Sequence, residues 1–243
     1  MQLEEPLRTL IDELVTGNHI LYDQNVVDCY GHLSARHPTD PEKFLLSWAV
    51  APGIVAAHDI LTYDLAGNVI DGSGQELYSE RFIHSEIYAA RPDVMAVVHS
   101  HSSSIIPFTI VDEPLRPVWH VSSFLSAGVP TFDPQPVMGD TDLLVRTPAL
   151  GRVLAQTLGD RTVVLMRGHG SATVGRNVRE AVYRAVYTEV NARIQSEAAR
   201  FGKPIRFLTA GEATLMDAWL NPNVRRPWEL WRDEAAAKRR SAA

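Results

Sequence analysis

Two histidines separated by one serine, His99 and His101, follow a short apolar run at residues 94–98. The β-branched residues of that run are typical of a buried strand. Because alternate residues of a strand face the same side, both imidazoles can point at one position. Imidazole is the commonest protein ligand for zinc and related ions. The pair predicts two metal ligands, although nine histidines in 243 residues make a His-x-His pair weak evidence by itself.

A third histidine occupies a comparable position later in the chain. The run 162–166 is typical of a strand and leads into His169, which stands between Gly168 and Gly170. Glycine permits close backbone approach and unusual dihedral angles. Three imidazoles from two strand ends leave coordination positions open, as in catalytic metal sites. Glu80 is the candidate carboxylate, either as a fourth ligand or as a general base. We therefore predict one divalent ion per chain, with zinc as first choice and manganese, cobalt or iron as alternatives.

Regular elements must hold these residues in place. Helices are indicated from Leu3 to about Asp23 and over 80–90, 141–158 and 177–199. Strands are indicated at 32–36, 44–47 and 60–63, besides the two that lead to histidines. Residues 64–71 are typical of a hairpin, and 105–111 of a short helix or strand. Thr209 and Glu212 form a capping-box pattern for a further short helix. The charged tail after about residue 233 is predicted to fray.

The composition limits the class of protein. Hydrophobic residues make up 45% of the chain, which suffices for a sizeable core, and neither a repeat nor a linker divides it. We expect one domain over residues 1–243. The net charge of −6 disfavours nucleic acid as a partner. The single cysteine, Cys29, rules out a disulfide framework and a multi-cysteine metal site. No apolar run reaches the length of a membrane span, and no signal-peptide pattern opens the chain, so we expect a cytoplasmic protein without membrane contact.

Several motifs, in the right order, resemble the class II aldolase/adducin family. They are GHLSAR at 31–36, S-E-x-x-x-H-x-x-x-Y-x-x-R-P-D from Ser79, V-V-H-x-H-S at 97–102 and G-H-G at 168–170. The resemblance spans nearly the whole chain. It implies an α/β fold, a three-layer α/β/α sandwich around a mixed, largely antiparallel sheet. It also implies a homotetramer with active sites at subunit interfaces, metal ligands at His99, His101 and His169, and a catalytic acid at Glu80.

The departures from the family pattern concern the substrate. Sugar-phosphate members hold phosphate with an asparagine in the early motif, a Thr-Gly pair and paired serines. This chain has His32, Pro52-Gly53 and Tyr78-Ser79 there, so the resemblance implies a substrate without phosphate. The proton-donating tyrosine of such aldolases falls near Val121 and is missing. His120 is the candidate donor in its place.

A smaller branch of the family decarboxylates hydroxylated aromatic or pyridine dicarboxylates. The stretches VVDCYGHLSARHP, ERFIH and LRPVWH are similar to that branch, whereas Trp48, Ala49 and Val50 replace its usual basic, serine-containing loop. The implied function is a metal-dependent carbon–carbon lyase that decarboxylates a small hydroxylated aromatic or heteroaromatic carboxylate through a metal-stabilised enolate. An aldolase or epimerase acting on a sugar or hydroxy/keto acid is the alternative. A non-catalytic, adducin-like interaction module is a further one.

Candidate contacts for the substrate carboxylate are cationic or short polar side chains near these motifs. They are Arg36, Arg81 and Arg116, with His32 and Ser34 as short-range donors. An arginine is more often a solvated surface residue, so each assignment is a hypothesis. Glu80 is expected to accept the substrate's hydroxyl proton or to orient the departing carboxylate.

Overall fold

A seven-stranded sheet forms the centre of the computed structural model, which describes residues 5–72, 74–220 and 223–242. The strands are β1 (His32–Arg36), β2 (Lys43–Ser47), β3 (Ile60–Asp64), β4 (Ala96–Ser100), β5 (Thr131–Phe132), β6 (Val163–Met166) and β7 (Gly170–Gly175). Their order in the sheet is β3-β2-β1-β4-β7-β6-β5. All neighbours are antiparallel except β5 and β6, which are parallel. The predicted mixed, largely antiparallel sheet is confirmed.

Helices cover both faces of this sheet. They are α1 (Glu5–Asp23), α2 (Arg81–Ala90), α3 (Gln135–Met138), α4 (Pro148–Leu158), α5 (Val178–Ala199), α6 (Ala210–Leu220) and α7 (Arg225–Ala242). Successive strand residues face opposite sides. Strand β4 therefore gives Val98 to the core shared with α1, α5 and α7, and Val97 to the core shared with α2 and α4. The three-layer sandwich is confirmed. In the described residues, none of the helices combines the length and apolar character needed to cross a bilayer.

Several element boundaries differ from the sequence prediction. Strand β4 extends to Ser100, so His99 lies inside the strand, opposite His32 of β1 and Ala172 of β7. The predicted helix over 141–158 begins only at Pro148, because the side chain of Thr147 caps it there. Residues 105–111 contain a short 3-10 helix at Ile106–Thr109.

Three further predictions fall at turns and ends. Residues 64–71 form a turn with a single bridge between Tyr63 and Val69 rather than a paired hairpin. The capping box is confirmed, since the Glu212 carboxylate accepts from the backbone N–H of Thr209 at 2.8 Å. The predicted start of the first helix at Leu3 lies outside the described residues.

Strand β7 and helix α7 are among the elements that were not anticipated from the sequence. Strand β7 reads GSATVG, and small residues carry little strand propensity. The predicted fraying after residue 233 is wrong, because α7 continues to Ala242. Trp228, Trp231 and Ala235 of α7 are buried in the core shared with α1. Arg239 also donates to Asp23 at 2.8 Å. The charges of this segment lie on the outer side of a docked helix, so they do not indicate disorder.

Candidate metal centre and active-site cavity

Helix α2 and strand β1 meet with matched rows of polar side chains. Glu80 is the N-cap of α2, and His84 and Tyr88 follow at intervals of four residues, so all three share one helix face. Four helical residues rise about 6 Å. Two strand residues rise about 6.7 Å. The row on α2 therefore stays in step with His32 and Ser34, which lie on the facing side of β1.

The four predicted metal residues converge at one end of these rows. Glu80, His99, His101 and His169 each offer a ligand atom, and these atoms lie within 4.8 Å of one another. His101 Nε2 lies 3.0 Å from His99 Nε2 and 2.9 Å from His169 Nε2. Glu80 Oε2 lies 3.6 Å from His99 Nε2 and 3.4 Å from His169 Nε2. The structure brings all four together in a site able to bind a metal ion.

Glycine allows the His169 turn to approach strand β4. A Cβ atom on Gly170 would lie 2.0 Å from the carbonyl oxygen of Ser100, a distance that only glycine avoids. Gly168 has a φ of +62°, in the left-handed region that favours glycine. The two flanking glycines therefore place His169 against the end of β4, as the sequence pattern indicated.

Backbone hydrogen bonds aim the ligand atoms at the centre. His99 Nδ1 donates to the carbonyl of Ser171 at 3.1 Å, and His169 Nδ1 donates to that of Leu143 at 3.0 Å. The Nε2 atom of each ring then carries a lone pair, and this atom faces His101. The backbone N–H of Val145 donates to Glu80 Oε1 at 2.9 Å.

The cluster brings several hydrogen-bond acceptors together with few donors between them. Glu80 Oε2 and the Nε2 lone pairs of His99 and His169 face one another, and a single N–H on His101 can serve only one of the two rings. Carboxylate and imidazole acceptors in such a group are suited to a shared cation. The donor set therefore fits a divalent ion.

Burial and mutual charge set the protonation of the cluster. Desolvation, with the charges of His99 and His169, lowers the pKa of His101 to about 4. Burial by itself raises the pKa of Glu80, but the neighbouring imidazoles of His169 and His99 outweigh it and hold that pKa far below its ordinary value. Burial lowers the pKa of His169, yet the neighbouring Glu80 carboxylate outweighs it and leaves a net rise. Glu80 is therefore ionised and His101 neutral at pH 7, which is the protonation that metal ligands need.

A cavity of about 570 Å³ opens beside the cluster. Its size suits a small ligand. The His32 and Tyr78 rings form part of the wall, with centroids 4.4 Å apart. Tyr78 is held in place by a hydrogen bond from its hydroxyl to the carbonyl of Val50. Glu80 and His101 connect the cavity to the metal cluster. The cavity thus combines an apolar wall with the acceptors of the cluster.

Of the predicted substrate residues, only His32 lines this cavity. Ser34 is fully buried behind it. Its hydroxyl bonds to His84 Nδ1 at 2.6 Å and to Tyr88 Oη at 2.7 Å. The direct substrate contact predicted for Ser34 is wrong, because the hydroxyl is enclosed between β1 and α2.

Arg36 and Arg81, which stand in the same motifs as His32 and Glu80, donate their hydrogen bonds to backbone carbonyls and do not line the cavity. Arg36 donates to four backbone carbonyls, those of Pro41, Tyr88, Arg91 and Val94. Arg81 donates to the carbonyls of Gly67 and Tyr78. The substrate contacts predicted for Arg36 and Arg81 are wrong in the described cavity, because both guanidinium groups are held by the loops and helix around them.

The remaining two candidates lie on a separate surface. Arg116 is exposed, and its guanidinium lies 4.0 Å from the ring centroid of Phe207. His120 is exposed and lines a different cavity, together with Phe207 and Met216. Neither residue lines the cavity of Glu80 in the same chain. The roles predicted for Arg116 and His120 are therefore not met within one chain.

The sequence analysis assigned no role to three residues around the cluster. His84 and Tyr88 contact β1 side chains directly, and their spacing from Glu80 on a predicted helix was a usable signal. Tyr30 lines the cavity, and its ring centroid lies 6.2 Å from that of His101. No periodic pattern marks Tyr30, because it lies in a loop.

Comparison with known proteins places this geometry in a family. The family model "Class II Aldolase and Adducin N-terminal domain" matches residues 12–196. The chain is 40% identical over 249 residues to the decarboxylase tropJ of Talaromyces stipitatus, covering 93% of this chain and 92% of that protein. It is 31% identical over 194 residues to the 3,4-dihydroxyphthalate decarboxylase of Arthrobacter keyseri, covering 74% and 75% of the two chains.

Solved structures share the fold at lower sequence identity. An aldolase II superfamily protein from Pseudomonas syringae has a TM-score of 0.81 at 23% identity, covering 98% of this chain and 96% of that one. The L-fuculose 1-phosphate aldolase of Glaciozyma antarctica also has a TM-score of 0.81, at 21% identity, covering 97% and 92%. The resemblance inferred from the motifs is confirmed, including the similarity to decarboxylases. The chain belongs to the class II aldolase and adducin N-terminal domain family.

Proposed function

We propose that this chain is a metal-dependent carboxy-lyase that removes CO2 from a small hydroxylated aromatic or heteroaromatic carboxylate. The observation that carries the proposal is the 40% identity to a decarboxylase over nearly the full length of both chains. The cluster of three histidines and Glu80 at the cavity supports it, because a non-catalytic interaction module has no use for convergent ligands. The second relative, a dihydroxyphthalate decarboxylase, supports an aromatic substrate that carries hydroxyl and carboxylate groups.

His99, His101 and His169 are the proposed ligands of the ion, and Glu80 is either a fourth ligand or a base. Zinc is the first choice for three imidazoles with an open position, and manganese, cobalt or iron are alternatives. A divalent ion here supplies Lewis acidity for the negative charge that develops beside the carbon that loses CO2. The Ser171 and Leu143 carbonyls keep two of the imidazoles aimed at the centre.

The proposed reaction breaks the bond between the ring carbon and the carboxylate carbon. The electron pair of that bond stays on the ring, CO2 leaves, and one proton is added to the ring carbon. Glu80, ionised and within the cavity wall, accepts the substrate's hydroxyl proton or orients the departing carboxylate. His32 lies at the same wall as a contact for the substrate carboxylate.

The cavity wall disfavours a phosphorylated sugar. His32 and Tyr78 replace small hydrogen-bond donors of the sugar-phosphate members with two rings in contact, 4.4 Å apart. Flat rings present apolar faces, which suit an aromatic substrate better than a phosphate group.

We also propose a homotetramer with active sites between subunits. His120 and Arg116, exposed and absent from the cavity of their own chain, would reach the site of a neighbouring subunit. His120 would then add the proton to the ring carbon.

The deciding experiment compares two substrate classes with one preparation of zinc-loaded protein. CO2 release is measured for hydroxylated benzene and pyridine carboxylates, and aldehyde release for sugar phosphates. We expect CO2 from at least one hydroxyaryl acid. Glu80→Gln should retain the fold and lower turnover by about 10²- to 10⁴-fold, since it removes the base but keeps the shape. Aldehyde from sugar phosphates, without CO2 from any hydroxyaryl acid, would identify an aldolase instead.

A further inference from the structure

Four buried polar side chains form a continuous hydrogen-bonded row behind the cavity. His32 Nδ1 lies 2.5 Å from His84 Nε2, His84 Nδ1 lies 2.6 Å from Ser34 Oγ, and Ser34 Oγ lies 2.7 Å from Tyr88 Oη. Each of the four residues is at most 3% exposed. The row begins at the cavity wall, where His32 Nε2 is the ring nitrogen that takes no part in it.

The two imidazoles of this row share a hydrogen bond between His32 Nδ1 and His84 Nε2, so one of these nitrogens carries the proton and the other a lone pair. Desolvation, with the charge of His99 next in size, lowers the pKa of His84 to about 3. His32 is buried to the same degree, and burial disfavours an imidazolium cation. A neutral imidazole has one N–H donor and one lone pair. The proton between the two rings therefore belongs either to His84 or to His32. The hydrogen bonds of the row can accordingly be donated towards His32 or away from it.

The phenol of Tyr88 selects the direction. Burial raises the pKa of Tyr88 well above its ordinary value, so the phenol keeps its proton. Across the described part of the chain, Ser34 Oγ is the one hydrogen-bond acceptor of that proton. Ser34 then donates its own proton to His84 Nδ1, and His84 donates through Nε2 to His32 Nδ1. In the reverse direction His84 would donate to Ser34, and one of the two buried hydroxyl protons, that of Ser34 or that of Tyr88, would have no acceptor, which folded proteins avoid.

We propose that Tyr88, Ser34 and His84 are positioning residues that hold His32 as its Nε2–H tautomer, so that His32 is a fixed hydrogen-bond donor at the cavity. A fixed N–H suits an anionic oxygen of the ligand, such as a carboxylate or phenolate, and rejects a ligand that presents only donors. His32 in this tautomer has no free lone pair, so it does not act as a general base. The tautomer of His32 does not depend on the proposed function. Only the class of substrate that its N–H would contact rests on that function.

Nuclear magnetic resonance of the zinc-loaded full chain with ¹⁵N-labelled histidine rings tests the tautomer directly. His32→Gln identifies the His32 signals by their loss. Without substrate, we expect a protonated Nε2 and an unprotonated Nδ1 on His32. A protonated Nδ1 on His32 would overturn the inference. Since no turnover is involved, this outcome is distinguishable from a failure to release CO2, which would count against the proposed function alone.

The role of Tyr88 has a matched control within the same chain. Tyr88→Phe removes the proton that sets the direction, so we expect His32 to populate both tautomers and the KM for a carboxylate substrate to rise about tenfold, with metal content unchanged. Tyr63→Phe is the control, because the Tyr63 hydroxyl is equally buried but has no hydrogen-bond partner among the described residues. An unchanged tautomer in Tyr88→Phe would refute the role of Tyr88. If Tyr88→Phe does not fold, Ser34→Ala interrupts the same row and carries the same expectation.

Discussion

The three histidines of the cluster, which are the proposed metal ligands, are held to different degrees. His99 and His169 each donate through Nδ1 to a backbone carbonyl, and His99 is fully buried. His101 lies at the cavity wall, partly exposed, and contacts the other two rings only through Nε2. A ligand whose second nitrogen is anchored presents its lone pair in a fixed direction. His99 and His169 therefore define the site, and His101 completes it from the cavity side.

We expect the purified chain to contain about one divalent ion per chain and His99→Ala to lose it. Removal of a direct ligand should weaken binding by more than about 100-fold, since even supporting contacts are worth 10- to 100-fold. Elemental analysis after dialysis measures the metal content. His58→Ala is the control, because the His58 side chain is 85% exposed and lies outside the cluster. Full occupancy in the double variant His99→Ala, His101→Ala would contradict the ligand assignment.

At the scale of elements, α7 completes the helical layer on one face of the sheet. Its buried side includes Trp228 and Trp231, which join the core formed by α1, α5 and the strands. The Trp231 ring lies 5.7 Å from that of Tyr187 on α5. None of the described residues of this helix lines the cavity or belongs to the cluster, so we expect it to contribute to stability.

Trp231→Ala should destabilise the fold by about 3–5 kcal/mol, because a large aromatic side chain is removed from a close-packed core. Leu230→Ala, one residue away on the exposed side of α7, should change stability by no more than about 0.5 kcal/mol. Urea unfolding of both variants measures the difference. Equal effects of the two substitutions would mean that α7 does not pack as described.

At the scale of the whole molecule, the residues predicted for catalysis lie on two separate surfaces of the chain. The cavity beside Glu80 is lined by His101 and His32 as well, whereas His120 and Arg116 face outward on another surface. A closed, symmetric assembly can bring such separate surfaces together in every subunit at once. The proposed tetramer therefore accounts for both halves of the predicted catalytic set.

Mixing two inactive variants tests this arrangement. Glu80→Gln and His120→Ala should each abolish most turnover alone, but co-expressed mixed assemblies should recover activity. If neighbouring subunits share each site, random mixing gives about a quarter of sites with both native residues. The recovered CO2 release should approach that fraction of the native rate, and a separated native monomer should be inactive. No recovery on mixing, or a fully active monomer in light scattering, would contradict shared sites.

The sequence by itself determined the fold class and the side chains that form the cluster of three histidines and Glu80. Ligand chemistry belongs to side-chain type, and strand alternation with glycine punctuation is local, so His99, His101 and His169 were recognisable from a few neighbouring residues. The ordered motifs also indicated the mixed sheet and its helical layers. Helix α5 was found nearly to the residue, because Asn177 is a strong N-cap.

The tertiary structure alone decided which polar side chains reach the cavity. Arg36 and His32 lie on the same face of β1, yet Arg36 is enclosed by carbonyls of α2 and nearby loops while His32 meets the cavity. The row from Tyr88 to His32 joins residues more than 50 positions apart. Such pairings depend on how a helix docks on a strand, and the energy of docking is spread over the whole core. No local sequence pattern encodes this docking. The side chains able to do chemistry could therefore be predicted from the sequence, whereas the directions of their hydrogen bonds could not.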